Sequence, residues 1–201
     1  MGPSTRARMS THASSGCGFG TGNPPARARV SPNDILTGID ISTEALRTAR
    51  QRYPQRNFLC CRAESLPFED TSFDRVVSSV ALPYTDIPDA LTEIRRVLRP
   101  EGTLFASLHH LRFTLKELWQ ALPRPAATFF RLYVIANGFI FHCTGRTLKF
   151  PNGRCESFQT KRGMTKALER AGFKDIIYSR PDGRLIAEAK ARSIRANNSS
   201  S

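Results

Sequence analysis

The residues with the most chemical content lie in the first fifth of the chain. Ser15-Gly16-Cys17-Gly18-Phe19-Gly20 places glycines at alternate positions. Without Cβ atoms the backbone can turn tightly there and come into contact with a bound ligand. Twenty residues after Gly20, Asp40 closes the short apolar run Ile35 to Ile39. A carboxylate at the end of the strand that follows a glycine loop can accept a hydrogen bond from each hydroxyl of a ribose, one per oxygen. The pair therefore points to a nucleoside-containing ligand. Spacing excludes two phosphate cradles: the third glycine of G-x-G-x-x-G is replaced by Thr21 or Asn23, and no Gly-Lys-Ser/Thr follows.

Groups able to take a proton are few. Tyr84, His109, His110 and His142 are the candidates, and His109-His110 directly follow a predicted strand, at the carboxyl edge where α/β sites form. Five cysteines, Cys17, Cys60, Cys61, Cys143 and Cys155, contain no C-x-x-C pair and no zinc-like spacing with the four histidines. No metal site is expected, and the cysteines read as small hydrophobic residues of a reduced, cytoplasmic chain.

The elements that must position these groups alternate from Ile35 onward, the pattern of a parallel sheet with helices on its faces. After the strand ending at Asp40, Ser42 can cap a helix through Ala45, Leu46 and Ala49 that Pro54 ends. Strands are predicted at Phe58 to Cys61 and Phe73 to Val80. A helix from near Pro88 carries Leu91, Ile94 and Leu98 on one face, and Arg99-Pro100-Glu101-Gly102 breaks it before a strand over Thr103 to Leu108. Residues 109–160 lose this regularity and read as an insertion that covers the site, with an amphipathic stretch at Thr114 to Leu122 and an apolar one at Ala127 to Phe141. A helix through Met164 and Leu168 stops at Gly172. The strands Asp175 to Tyr178 and Arg184 to Ala189, joined by Pro181-Asp182-Gly183, form an antiparallel hairpin. One domain over 1–192 and a disordered tail over 193–201 complete the expectation.

Charge divides the chain. Its net +13 comes from +4 in residues 1–30, −2 in 31–107 and +11 in 108–201. The motif-bearing middle is near neutral, so the basic excess does not by itself mark a nucleic-acid site. No apolar leader follows the first residues. The longest apolar run, Leu132 to Phe141, is interrupted by Asn137-Gly138 and is half the roughly 20 residues that cross a bilayer, so no integral membrane span is expected.

Five ordered segments carry a resemblance: Gly16-Cys17-Gly18-Phe19-Gly20, Gly38-Ile39-Asp40-Ile41-Ser42, Ala63-Glu64-Ser65-Leu66-Pro67-Phe68, Ser72-Phe73-Asp74-Arg75-Val76-Val77-Ser78-Ser79 and Ile94-Arg95-Arg96-Val97-Leu98-Arg99-Pro100-Glu101-Gly102. They resemble the successive motifs of class I S-adenosylmethionine-dependent methyltransferases, especially the branch acting on small molecules and quinone precursors. The resemblance implies a Rossmann-like, doubly wound, mostly parallel seven-stranded sheet with an antiparallel last strand. It implies S-adenosyl-L-methionine as cofactor. Gly16, Gly18 and Gly20 would pass under its methionine and ribose, Asp40 would hold the ribose and Ile41 would lie on the adenine. Ala63 and Glu64 would edge the adenine, and Ser79 and Val80 would close the methionine end.

The chain departs from the family at its start. Ser14 stands where the family carries an acidic residue, and Thr11-His12-Ala13-Ser14-Ser15 is polar where a buried first strand belongs, so a degenerate or truncated N-terminal strand is expected. The expected activity is methyl transfer to a small-molecule acceptor by in-line displacement, with His109 or His110 as base only where the acceptor must lose a proton. The stretch Phe129 to Ile135 reads as core, as the lining of a pocket for an aromatic or lipid-like acceptor, or as a lid resting on a membrane. Two rival functions stay open: an RNA or DNA methyltransferase, though Leu82-Pro83-Tyr84-Thr85 lacks the Asn/Asp-Pro-Pro-aromatic pattern of amino-group DNA enzymes, and a non-catalytic binding protein of the same fold.

Overall fold

The computed structural model describes residues 7–12, 35–79, 81–109, 111–121, 124–151 and 153–193. In chain order the elements are β1 (Ala7–His12), β2 (Ile35–Asp40), α1 (Thr43–Arg52), β3 (Asn57–Cys60), β4 (Phe73–Ser79), α2 (Ile87–Val97), β5 (Leu98–Ser107), α3 (Leu111–Ala121), α4 (Pro125–Thr144), α5 (Lys161–Arg170), β6 (Phe173–Ser179) and β7 (Ile186–Ala191). The strands form one sheet in the order β3-β2-β1-β4-β5-β7-β6. From β3 to β5 all neighbours are parallel, and β7 runs antiparallel to both β5 and β6. The chain walks outward from β1 through β2 to β3, then returns to β4 on the other side of β1. In open α/β sheets such a reversal is where ligands bind, outside the carboxyl ends of the strands, here those of β1 and β4.

Local chemistry explains the elements. Ser42 caps α1, its hydroxyl accepting from the Ala45 N–H at 3.2 Å, and Glu44 complements the positive end of the helix dipole. Ala45, Leu46 and Ala49 bury one face against Phe58 of β3. Pro88 occupies the first turn of α2, whose Ile87, Ala90, Leu91, Ile94 and Val97 are all buried. These join Val76, Leu104, Leu168 and Phe173 in the main core.

Two expectations are corrected. The first strand lies at Ala7–His12, starting four residues before the expected Thr11 to Ser15 and sharing with it Thr11 and His12, in register with Ile35 to Ile39 on one side and Arg75 to Ser79 on the other. Its polar composition does not prevent this, because the ladder bonds come from the backbone. Leu98 belongs to β5, not to the helix: Arg99 to Gly102 are part of the strand, with a register shift against β4 between Phe73 and Arg75 and Glu101 at φ 63°. Pro100 offers no N–H to the ladder, so the segment forms a bulge where a full break was expected.

The four described cysteines are free. Cys155 is buried and Cys61 half-buried, whereas Cys60 and Cys143 are exposed, so burial does not explain all of them. Ser193, the first residue of the expected tail, donates to Glu101 Oε1; residues 194–201 lie outside the described residues.

Candidate active site

Asp40 ends β2 at the carboxyl edge and is 2 % exposed. Its Oδ1 accepts the Ser42 N–H at 2.8 Å, while Oδ2 is buried with no hydrogen-bond partner among the described residues. Burial pushes the carboxyl above its usual range, opposed by the backbone N–H groups of Ser42 and Ile41. A buried acceptor left unpaired costs free energy, about 1–3 kcal/mol, unless a ligand supplies the donor. Next to it, Ile41 stands 60 % exposed, an apolar side chain beside a polar cradle. This is the pairing a nucleoside requires, with hydroxyls on the carboxylate and a ring face on the apolar residue. Ser78, near the end of β4, adds a second buried hydroxyl oxygen without a partner among the described residues.

The loop after β3 is fixed from behind. Arg96 of α2 donates to the carbonyls of Leu66 (2.9 Å) and Phe68 (2.7 Å) and pairs with Glu93 and Asp70, while Glu93 Oε2 accepts the Leu66 N–H at 2.8 Å. Ala63 is buried in this loop. Glu64 uses Oε1 for the Asp86 N–H at the start of α2 and for Arg62, both at 3.1 Å, so the carboxylate expected beside the adenine also braces a helix N-terminus. Ser79 pairs in register with His12 at the β1–β4 edge. Gly16, Gly18, Gly20, Val80 and His110 lie outside the described residues.

A second half of the site forms over β4 and β5. His109 follows β5, and its ring meets Tyr84 edge-on with centroids 6.1 Å apart. Segment 155–159 is laced across these ends: Ser157 N–H donates to Pro83 O (3.0 Å), Gln159 N–H to His109 O (2.9 Å), and His109 N–H to Gln159 Oε1 (2.8 Å). Partial burial, with the carboxylates of Glu156 and Glu117, raises the Tyr84 phenol above its ordinary range. Glu156 is buried and pairs with Arg131 of α4 at 2.5 Å, and Arg131 also reaches Glu117 of α3 at 3.1 Å. Burial raises the Glu156 carboxyl, and Arg131 opposes the shift. One guanidinium thus ties α3, α4 and the covering segment together. Ser157 leaves a buried hydroxyl oxygen unpaired among the described residues. His142, by contrast, hydrogen-bonds Thr160, the cap of α5, at 2.9 Å.

Arg96 lies in the fifth motif segment, though its hold on the loop is not legible there, and Glu93, Arg131, Glu156, Ser157 and Gln159 carry no motif spacing, so sequence reasoning missed them. Arg131 and Glu156 meet only because the chain that follows α4 returns along the helix, and no local pattern encodes that distance.

The described geometry fits S-adenosylmethionine: an orphaned buried carboxylate oxygen at a strand end, an exposed apolar neighbour and a pinned loop beside them. The comparisons agree. A family model described as "Methyltransferase domain" matches residues 14–106. Demethylmenaquinone methyltransferase of Chlorobaculum tepidum is 30% identical over 167 residues, covering 79% of this chain and 64% of that one. Malonyl-[acyl-carrier protein] O-methyltransferase of Erwinia pyrifoliae is 38% identical over 114 residues, covering 54% and 42%. A SAM-dependent methyltransferase from Methanosarcina mazei shares the fold with a TM-score of 0.59 at 18% identity, over 94% of both chains. The chain has a Rossmann-like α/β fold shared with that solved methyltransferase. Over residues 14–106 it is similar to methyltransferase domains, and it spans 64% or less of the two curated relatives described.

Proposed function

We propose that this chain transfers the methyl group of S-adenosylmethionine to a small-molecule acceptor by in-line displacement. The buried Asp40 Oδ2, without a partner among the described residues, carries the reading, because it is an acceptor placed where ribose hydroxyls are needed. Bound cofactor would supply an electrophilic methyl group on a sulfonium. Asp40 would hold the ribose and Ile41 the adenine face, and the Arg96–Glu93 pair keeps the adjoining loop in place. The strand order supports reading the sheet as the complete seven-stranded, doubly wound class I arrangement.

The acceptor would sit over Tyr84 and His109, with the Ser157 hydroxyl as a further polar handle. Rate then derives mainly from orientation in a pocket that α3, α4 and segment 155–159 cover. His109 would take the proton where the acceptor is a hydroxyl, its position fixed by two backbone bonds to Gln159. The relatives' names, a demethylmenaquinone and a malonyl-carrier enzyme, support a quinone-type ring or a carboxylate as acceptor. Free described cysteines support a reducing, cytoplasmic setting.

Calorimetric titration with S-adenosylmethionine tests the reading. A dissociation constant of about 1–100 micromolar is expected. Absence of binding by the folded chain would reject it, and transfer of labelled methyl groups to a panel of quinols and carboxylic acids would identify the acceptor.

A further inference from the structure

α4 is 20 residues long and apolar enough by length and composition to cross a bilayer. Its inner face prevents that. Val134, Asn137, Gly138 and Phe141 are buried in the domain, and Asn137 is 1 % exposed, donating to the Glu156 and Leu148 carbonyls and accepting the Leu148 N–H at 2.7 Å. Pulling α4 into a bilayer would strip these bonds from a buried amide.

Its outer face is the unusual one. Phe129, Leu132, Ala136, Phe139 and Cys143 are all exposed and fall at i, i+3, i+7, i+10 and i+14, one continuous stripe without a charge. Phe129 is 64 % exposed, Leu132 52 % and Phe139 55 %. α3, packed against α4, adds Leu115 and Trp119, the latter 75 % exposed. Scattered exposed apolar residues are ordinary; an aligned series is not.

Charge identifies what covers it. Between Leu111 and Phe150 the chain carries Arg112, Lys116, Arg124, Arg131, Arg146 and Lys149 against the single acid Glu117, which turns to Arg131. Exposed Arg124 precedes the apolar stripe and exposed Arg146 follows it, with exposed Lys116 beside Leu115. Two copies facing each other would bring these basic groups together, whereas an anionic surface neutralises them. We propose that the α3–α4 face docks in the interfacial plane of an anionic phospholipid bilayer, with the apolar stripe in the acyl boundary and Arg124, Arg146 and Lys116 on the headgroups.

The inference stands independently of methyl transfer, and its test reads binding alone. Trp119 is the chain's one tryptophan, so emission reports directly on this face. The full chain is expected to float with vesicles of phosphatidylcholine mixed with phosphatidylglycerol, with a blue shift of Trp119, and not with phosphatidylcholine alone. The triple variant Phe129→Ser/Leu132→Ser/Phe139→Ser should lose at least about tenfold in partitioning, and Arg124→Ser/Arg146→Ser a similar factor, each with an unchanged circular dichroism spectrum. No binding, binding without a Trp119 shift, or full binding by the triple variant would overturn the proposal. So would a concentration-dependent dimer abolished by the triple variant without vesicle binding, which assigns the face to a second copy.

Discussion

Arg96 donates from Nη2 to the carbonyl oxygen of Leu66 across 2.9 Å, joining α2 to a loop thirty residues earlier. The same guanidinium reaches Phe68, Asp70 and Glu93, and Glu93 in turn holds the Leu66 N–H. Backbone groups of a loop have no ladder to satisfy them, and here one ion pair satisfies three. Arg96→Ala is expected to cost about 1–3 kcal/mol in urea denaturation, because it takes the guanidinium donor from two carbonyls and from the Glu93 and Asp70 carboxylates.

That pair also sets a pH dependence. The Arg96 side chain, followed by the Leu66 N–H and against partial burial, holds the Glu93 carboxyl below its usual range. A carboxyl lowered on folding contributes stability that is present above its unfolded value and lost as pH falls through the folded one. Stability measured from neutral pH downward should therefore decline through the acid carboxylate range. Glu93→Gln should flatten that decline; an unchanged slope would remove Glu93 from its cause.

Asp40 has the opposite sign. Its folded carboxyl is raised by burial, so ionisation costs the cofactor-free chain stability above the raised value, and the cost is relieved as pH falls toward the unfolded value. Asp40→Asn removes that cost and should raise the melting temperature of the cofactor-free protein. It should also lower affinity for S-adenosylmethionine by about 2 kcal/mol, roughly thirtyfold, through the loss of charge-assisted bonds. The combination of stabilisation with weakened binding separates a ligand-holding carboxylate from a structural one, whose loss would destabilise the fold.

Much of this was legible in residue order. The Ser42 cap, the apolar face of α2 and the Pro181-Asp182-Gly183 hairpin follow from local rules, and Asp40 could be placed because a strand end fixes where its side chain goes. Hydropathy marks β1 poorly, because a strand paired on both sides draws its ladder from backbone. Leu98 reads as part of α2 because its apolar character fits either period. The covering half of the site was the least legible. Asn137-Gly138 reads as an interruption of an apolar run, yet it is the point where α4 meets the domain.

Gly138 shows why. A Cβ built there would stand 2.1 Å from Cδ1 of Phe158, so the helix approaches the covering segment only through a missing side chain. Helix propensity alone favours Gly138→Ala by about 1 kcal/mol. Overpacking of this size costs about 1–3 kcal/mol and should win. Net destabilisation in thermal denaturation is expected, and Phe158→Leu in the same chain should recover part of it.

The final prediction concerns Arg131, whose guanidinium lies between Glu156 at 2.5 Å and Glu117 at 3.1 Å. With Glu156 buried, the pair survives only as a pair: removing the cation leaves an uncompensated carboxylate in a site that already resists its ionisation. Arg131→Ala should therefore cost about 3 kcal/mol, the scale for breaking a buried ion pair from one side. Arg131→Ala/Glu156→Gln should recover more than half of it, since the orphaned charge and not the lost attraction dominates the loss. A double variant as unstable as the single would mean that Arg131 acts through packing across α3 and α4. Recovery would instead locate its contribution in the charge of Glu156, the residue that binds the covering segment over Tyr84 and His109.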